Sequence, residues 1–325
     1  MNMKVGKLWH LFNVTTSYLP VFKTEIQVGL VVNFCMEKEN RVSIVTDSGS
    51  SMRESFPEIK ERGISILPLE VKFLENGRWV PYLDSELSAD EFYRKMAESK
   101  TLPQTSGAVT GRAGKLYESL AEKNNSIISI HITAKHSVAH ESALLAANLV
   151  MEANPEVVIE VIDSKIVSVG TWFLAEKAAL LSTEGYPLED IKKILLETVP
   201  KIDLITFLPS LDNVIKGGRV PALKGMIGNL LNIKPIIGFV DGQITELSKT
   251  RTISKAKQEL VNRFTGVKEE VVKLAILHTN NEEGAKELQM DLANFYPGAI
   301  PIYEAGPVMG VHAGSGAVGI AFLKK

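Results

Sequence analysis

One polar stretch of the chain, residues 103–111, lies between two predicted helices and carries the hydroxyls of Thr105, Ser106 and Thr110 beside two glycines. These residue types suit an anionic head group, because hydroxyls and the free N–H groups of a helix N-terminus donate hydrogen bonds, and the helix dipole favours negative charge. The same composition is also typical of an ordinary capped turn. The stretch therefore predicts a binding loop only in combination with other polar motifs.

The sequence does not contain the motifs of several common enzyme classes. The glycines of residues 314–319 match a dinucleotide fingerprint, but six residues remain after them, so they predict a turn that enters the last strand. Leu116 stands where a phosphate-binding loop needs Ser or Thr, and no serine has the glycine spacing of a nucleophile elbow. One enzymatic alternative stays open, a hydrolase or transferase that uses Asp47, Ser48 and His312 across a cleft.

Three of the six histidines lie within ten residues, at His131, His136 and His140. His136 and His140 share a helix face at i, i+4 spacing, which is a spacing of metal ligands. No third and fourth ligand can be assigned to them. We therefore predict no metal and interpret these histidines as solvated or cleft-lining side chains.

The composition indicates a globular protein of two domains. The chain has 325 residues, 45% of them hydrophobic, and a net charge of −2. A nearly neutral chain offers no basis for holding a nucleic acid, and a single cysteine, Cys35, excludes an internal disulfide. The apolar run 26–35 is too short to span a bilayer, and no signal-peptide cleavage pattern follows the first apolar run. We expect a cytoplasmic protein without stable membrane insertion.

Strands and helices alternate between residues 41 and 200, which predicts a parallel sheet with polar loops at its carboxyl edge. Asp47, Thr133 and Asp163 each fall at such an edge. The predicted strands are 42–46, 64–73 with a break at Pro68, 126–133 and 157–162, and the predicted helices are 88–96, 113–123, 137–153, 169–181 and 188–198. Asn76-Gly77 predicts a hairpin turn, and the stretch from Ser88 to Glu91 predicts a capping box at the start of the first helix. Helix 137–153 is predicted to carry Ala143, Leu144, Ala147 and Val150 on one buried face.

The pattern changes after Pro200, where a second hairpin signal, Asp241-Gly242, predicts an α+β domain with antiparallel pairing. We expect Gly217 to end a short helix that begins at Ser210. The predicted strands are 204–208, 234–240, 243–247, 271–277, 300–303 and 317–323, and the further helices are 222–231, 254–264 and 282–294. The predicted organisation is an N-terminal extension of unclear role (1–40), an α/β domain (41–200) and an α+β domain (201–325), with a ligand cleft between the two domains.

Seven polar motifs follow one another in a fixed order, and in this order they resemble the DegV family over residues 41–323. They are Thr46-Asp47-Ser48, Thr105-Ser106, the stretch from Ile130 to Ser137, Asp163-Ser164, Ile215-Lys216-Gly217-Gly218-Arg219, Thr250-Arg251-Thr252 and the stretch from Gly310 to Ala317.

The resemblance implies a non-catalytic bacterial protein that binds one long-chain fatty acid between its domains and presents it to a separate fatty acid kinase. It implies no cofactor, with the fatty acid as the only ligand. By the same resemblance, Thr105, Ser137 and His312 contact the carboxylate, and Ser106, Thr133 and Arg251 are further fatty-acid-binding residues. Arg219 is, by the same resemblance, a surface contact for the kinase. A third possibility, an interaction module built on residues 216–224, predicts partner binding that does not depend on Thr105.

Two motifs depart from the pattern that the family usually shows. The loop that is usually Thr-Ser-Gln-Pro-Ser has Gly107 in place of glutamine. In the motif that is usually Ser-Ser-x-Leu-Ser-Gly-Thr, His136 replaces leucine and Val138 replaces glycine. Any difference in ligand is therefore expected at the loop 103–111 and its surroundings.

Overall fold

The computed structural model describes residues 41–53, 56–107, 110–219 and 233–325. The N-terminal extension, the predicted helix 222–231, and Ala108 and Val109 of the polar loop lie outside these residues. The predicted α/β fold class is confirmed, with a parallel sheet in the first half of the chain and a mixed sheet in the second.

Two sheets are built from the first half of the chain. A parallel sheet has the strand order β2-β1-β6-β7, and a small antiparallel sheet has the order β4-β3-β5. Their strands are β1 (Ser43–Asp47), β2 (Ile64–Leu67), β3 (Glu70–Glu75), β4 (Arg78–Leu83), β5 (Gln104–Ser106), β6 (Ser126–His131) and β7 (Val158–Asp163).

The helices of this half follow the predicted alternation. The predicted start of the first long helix at Ser88 is confirmed, since the Ser88 side chain accepts a hydrogen bond from the backbone N–H of Glu91. The helices are α1 (Pro57–Arg62), α2 (Ala89–Glu98), α3 (Thr110–Ala121), α4 (Ala139–Ala153), α5 (Val169–Thr183) and α6 (Leu188–Thr198).

The second half forms one six-stranded mixed sheet in the order β10-β9-β8-β13-β11-β12. Its strands are β8 (Ile202–Phe207), β9 (Lys234–Val240), β10 (Gln243–Thr250), β11 (Val271–His278), β12 (Ile302–Glu304) and β13 (Val318–Lys324). Its helices are α7 (Asp212–Lys216), α8 (Ile253–Thr265), α9 (Glu282–Ala293) and α10 (Pro307–Ala313). The predicted boundary at residue 200 falls between β7 and β8, and we retain this division into domains as a proposal.

Helix α5 packs between the two large sheets. Ten of its fifteen residues are buried, which is the pattern of a helix enclosed on all sides rather than of a surface helix. Trp172 and Phe173 belong to a core cluster that also contains Ile44 of β1 and Leu204 of β8. The two halves of the chain therefore share this core cluster, and the loops at the carboxyl edge of the parallel sheet face the six-stranded sheet.

The turn chemistry was predictable, because it depends on adjacent residues. Both hairpin turns, at Asn76-Gly77 and Asp241-Gly242, have positive φ at both positions, as predicted. The short helix ends at Lys216 with Gly217 as its C-cap, as predicted, but Gly217 itself has a φ of −71° and the left-handed residue that follows the helix is Gly218.

Two further predictions about helices need correction. Leu144 was placed on the buried face of α4 but is 42% exposed, because the buried face follows Ala143, Ala147 and Val150. Helix α10 was not predicted at all. Among the described residues, no helix is both long enough and apolar enough to cross a membrane.

Candidate functional site

A cavity of about 290 Å³ lies between the loops that follow β6 and β7 and the facing strands β8 and β9. Such a volume is at the lower end of the range for small-molecule sites. Most of its wall is apolar, including Ile132, Leu204, Ile237, Phe239, Leu277 and Val308. An interior of this kind fits an apolar ligand, since hydrocarbon is stabilised by removal from water.

Polar side chains gather at one part of this wall. Thr105 Oγ1 and His312 Nε2 lie 2.9 Å apart, which joins β5 of the first half of the chain to α10 of the second. Ser137 and Arg219 also line the cavity, and Arg219 Nε donates to the backbone oxygen of His136 beside Ser137 at 3.4 Å. Four of the predicted site residues are thus brought to one place.

Strand β5 fixes the orientation of Thr105. It pairs with β3 in antiparallel register, with Thr105 opposite Val71. The neighbouring residue Ser106 also lines the cavity, but its hydroxyl donates to Glu70 at 2.9 Å. The hydrogen of Ser106 is therefore already used, whereas Ser137 accepts a bond from the backbone N–H of Ala139 at 3.1 Å and keeps its own hydrogen free to donate.

Helix α10 carries His312 and is held from two sides. Asn213 Nδ2 donates to the backbone oxygen of Val311 at 3.1 Å. On another side, Gly310 lies against Phe92 and Tyr93, and a Cβ at Gly310 would come within 2.6 Å of the Phe92 ring. Gly217 provides similar clearance for His312 itself, because a Cβ there would lie 2.6 Å from Nδ1. The imidazole position is consequently fixed by tight backbone approaches.

The imidazole of His312 is neutral at physiological pH. Burial, the charge of Arg219 and the proximity of His136 lower its pKa to about 3. Its Nδ1 atom is sealed from solvent without a hydrogen-bond partner among the described residues. A buried N–H donor without a partner is rarer and more unfavourable than a buried acceptor without one, so we assign the proton to Nε2. Thr105 then accepts from His312, and its own hydrogen is free for an anionic ligand.

Two of the family departures compensate for each other in space. A Cβ at Gly107 would lie 2.7 Å from Val138 Cγ2 and 3.0 Å from the Ala139 backbone nitrogen. Val138 therefore fills the space beside a residue that has no side chain. In the pattern that the sequence resembles, glutamine stands at the position of Gly107 and glycine at the position of Val138, so here the larger side chain lies on the other loop.

Two predicted binding residues lie away from the cavity wall. Thr133 is buried, but its hydroxyl donates to the backbone oxygen of Gly242 at 2.9 Å, and it is Ile132 that lines the cavity. Arg251 is exposed in the turn before α8 and does not line the cavity. The structure does not bring either residue to the polar group formed by Thr105, Ser137, Arg219 and His312.

Arg219 was predicted as a surface contact for a partner, and the structure places its guanidinium at the cavity. It also lines a second, polar cavity of about 630 Å³ on the other side of Thr105 and His312. Lys100 and Lys216 line that outer cavity as well. Arg219 therefore faces both cavities, and the glycines before it gave no signal of this position.

The alternative enzymatic grouping of Asp47, Ser48 and His312 is not assembled. The Asp47 carboxylate lies 3.0 Å from His131 Nδ1, and Ser48 Oγ accepts from the backbone of Leu69 at 3.0 Å. His131 in turn lies 2.8 Å from Ser129 Oγ. Asp47, His131 and Ser129 have the order of a catalytic triad, but all three are completely buried, so a substrate has no access to them.

Metal ligation finds no support among the described residues, which contain no group of three His, Cys, Asp or Glu side chains able to hold an ion. His136 instead lines the cavity, where its Nε2 accepts a hydrogen bond from the backbone N–H of Ile244 at 2.9 Å. Sequence reasoning singled out His136 without anticipating this acceptor role.

The neutral state of His312 leads to a test by NMR. We expect its imidazole to keep one proton, on Nε2, from about pH 8 down to about pH 5, whereas an ordinary histidine titrates near pH 6.5. The unfolded chain gains that proton below about pH 6.5 and the folded protein does so only near pH 3, so stability should fall as the pH drops through this interval.

The His312→Gln variant should lose this part of the acid sensitivity in urea unfolding measured at about pH 7.5 and about pH 5. His312 signals that titrate close to pH 6.5 in the folded protein would contradict the assignment.

Comparison with known proteins identifies the family. The profile of the DegV family, whose members are described as uncharacterised proteins, matches residues 41–325. A DegV domain-containing protein of Caldanaerobacter subterraneus is 31% identical over 294 residues, which cover 88% of this chain and 99% of that protein.

Two solved structures show the same fold. DegV of Bacillus subtilis, described as a fatty acid binding protein, is 31% identical, with a TM-score of 0.76 and coverage of 88% of this chain and 100% of that one. A DegV family protein of Ruminococcus gnavus, refined with vaccenic acid, is 27% identical, with a TM-score of 0.76 and coverage of 86% and 99%. On the family match and these relatives, the chain belongs to the DegV family.

Proposed function

We propose that this protein binds one long-chain fatty acid in the cavity, with the carboxylate at Thr105, Ser137 and Arg219, and with His312 positioning the Thr105 hydroxyl. The observation that carries the proposal is a mostly apolar cavity with one group of polar side chains at the bonded pair Thr105 and His312. The fatty acid ligands of the Bacillus subtilis and Ruminococcus gnavus proteins support the same ligand class.

The carboxylate is bound by donors that are free to turn toward it. Thr105 and Ser137 each have a hydroxyl hydrogen without another acceptor among the described residues, and Arg219 supplies the positive charge. Hydrogen bonds to a charged group contribute about 1.5–3 kcal/mol each, whereas each buried methylene contributes about 0.8 kcal/mol. The acyl chain therefore supplies most of the affinity, and the head group sets the orientation.

The remaining predicted residues have smaller roles in this proposal. Ser106 contributes at most an acceptor, because its hydrogen goes to Glu70. Thr133 and Arg251 take no part in head-group binding. The protein itself catalyses no reaction and acts in the cytoplasm.

The outer cavity supports presentation of the head group to a fatty acid kinase. It adjoins the carboxylate position through Thr105, Arg219 and His312, and its exposed lysines, Lys100 and Lys216, offer positive charge to an incoming phosphoryl donor. A carboxylate held at this position is accessible from the outer cavity while its chain remains buried.

Removal of one hydroxyl tests the head-group site. We expect Thr105→Val to weaken oleate binding on the order of tenfold or more, because a hydrogen bond to the carboxylate is lost. Binding of oleyl alcohol, which has no charge, should change much less. The matched control is Ser106→Ala on the same strand, whose effect should be small. Equal losses for oleate and oleyl alcohol, measured by fluorescence displacement, would contradict the proposed site.

Charge reversal in the outer cavity tests presentation. We expect Lys100→Glu with Lys216→Glu to slow formation of acyl phosphate by a family fatty acid kinase, because the variant repels the phosphoryl donor, while oleate affinity stays nearly constant. Lys193→Glu on α6 is the control for an added exposed negative charge. Unchanged phosphorylation in the double variant would argue against this surface, and no phosphorylation of bound oleate in the wild type would remove the kinase from the proposal.

A further inference from the structure

The hairpin of β9 and β10 is fastened to the first half of the chain at its turn. Thr133 Oγ1 donates to the Gly242 backbone oxygen at 2.9 Å, and the Ile244 backbone N–H donates to His136 Nε2 at 2.9 Å. Lys165 also forms an ion pair with Asp241. These three contacts join the hairpin tip, residues 238–245, to the two loops that follow β6 and β7, and we call this line of contacts the seam.

The seam forms part of the cavity wall. Phe239 and Ile244 of the tip line the cavity, and His136 lines it from the opposite side of the seam. The rings of His136 and Phe239 meet edge to face with their centroids 6.4 Å apart. Separation of the tip from the loops would therefore expose apolar cavity wall directly.

The strand pairing provides a hinge at the base of the tip. Strand β9 pairs with β8 at only two positions, Thr206 with Ile237 and Phe207 with Ile236, whereas it pairs with β10 at seven. A register shift between Glu246 and Ser248 interrupts β10 at the same level, since Glu246 lies opposite Ile237 and Ser248 opposite Ile236. A bulge bends the strand that carries it. The tip therefore begins where the pairing of β9 with β8 ends and where the register of β10 shifts.

The three contacts differ in strength. Thr133 is fully buried and Gly242 is a close backbone approach, because a Cβ there would lie 2.6 Å from Thr133 Oγ1. Lys165 and Asp241 are about half and three-quarters exposed, so their ion pair adds little. The hydrogen bonds of Thr133 and His136 therefore hold the seam.

We propose that the seam is a latch, and that the acyl chain enters and leaves the cavity when the tip of the β9–β10 hairpin separates from Thr133 and His136. The head-group site stays in place during this movement, because Thr105 and His312 belong to other elements. The role of the opening rests on the proposed fatty acid ligand, whereas the latch itself is a property of the protein without ligand.

The test uses Thr133→Val and His136→Phe, singly and together. Each removes one hydrogen bond of the seam while it preserves the approximate volume, and His136→Phe also keeps an aromatic ring against Phe239. The control is Thr245→Val, which removes a tip hydroxyl that donates only to Gln243 of its own strand. Amide hydrogen exchange of residues 238–245 is compared with that of β8, and stopped-flow fluorescence follows uptake and release of cis-parinaric acid.

We expect the double variant to exchange its tip amides on the order of tenfold faster or more, since two buried hydrogen bonds are lost, with Thr245→Val close to the wild type. Uptake and release of cis-parinaric acid should both accelerate. If the double variant exchanges its tip amides at the wild-type rate, the seam is not a latch. If the tip amides exchange faster but the uptake and release rates of cis-parinaric acid do not change, the ligand does not enter through the seam. A wild-type protein that takes up no cis-parinaric acid would instead overturn the proposed function, while the exchange comparison still decides the latch.

Discussion

The hydrogen bond between Thr105 and His312 is the contact around which the binding site is arranged. It connects residues 207 positions apart in the sequence and brings a strand of the first half of the chain against a helix of the second. A polar pair beside an apolar cavity must keep its hydrogen bonds satisfied, because an unpaired buried donor is unfavourable by about 1–3 kcal/mol. A neutral His312 meets this requirement with a single donor and leaves the Thr105 hydroxyl able to serve a ligand.

The cavity follows from how the two halves of the chain pack. Helix α5 is enclosed between the parallel sheet and the six-stranded sheet, and it fixes the distance between them. Beyond the N-terminus of α5, the described residues leave a gap between the loops after β6 and β7 and the facing strands β8 and β9. Its wall is formed by the same kinds of aliphatic side chains that fill the core, which explains why the gap suits hydrocarbon.

The sequence determined much of the fold because its signals are local. Asn-Gly and Asp-Gly turns, the Ser88 cap and the alternation of strands with helices depend on neighbours in the chain, and the structure contains them all. Helix α10 escaped prediction because it has only seven residues and contains Gly310, so it shows no helical periodicity, although it carries His312.

The directions in which the side chains of the site point were harder to predict from the sequence than the elements of the fold. Thr133 and Ile132 are adjacent at the end of β6, and only tertiary contacts decide that Ile132 enters the cavity while Thr133 bonds to the hairpin. Arg219 follows two glycines. Because glycine adopts many backbone conformations, the sequence around Arg219 shows no periodicity from which the direction of its guanidinium could be predicted. The compensation between Gly107 and Val138 likewise depends on two loops that meet only in the folded chain.

The ligand itself is the most direct test of the account. Organic extraction of the purified protein followed by mass spectrometry measures which lipids it carries and in what ratio to the protein. The account predicts long-chain fatty acid at about one molecule per chain, as expected for a single cavity of this kind. A protein that is empty after purification and also fails to take up added palmitate or oleate would contradict it.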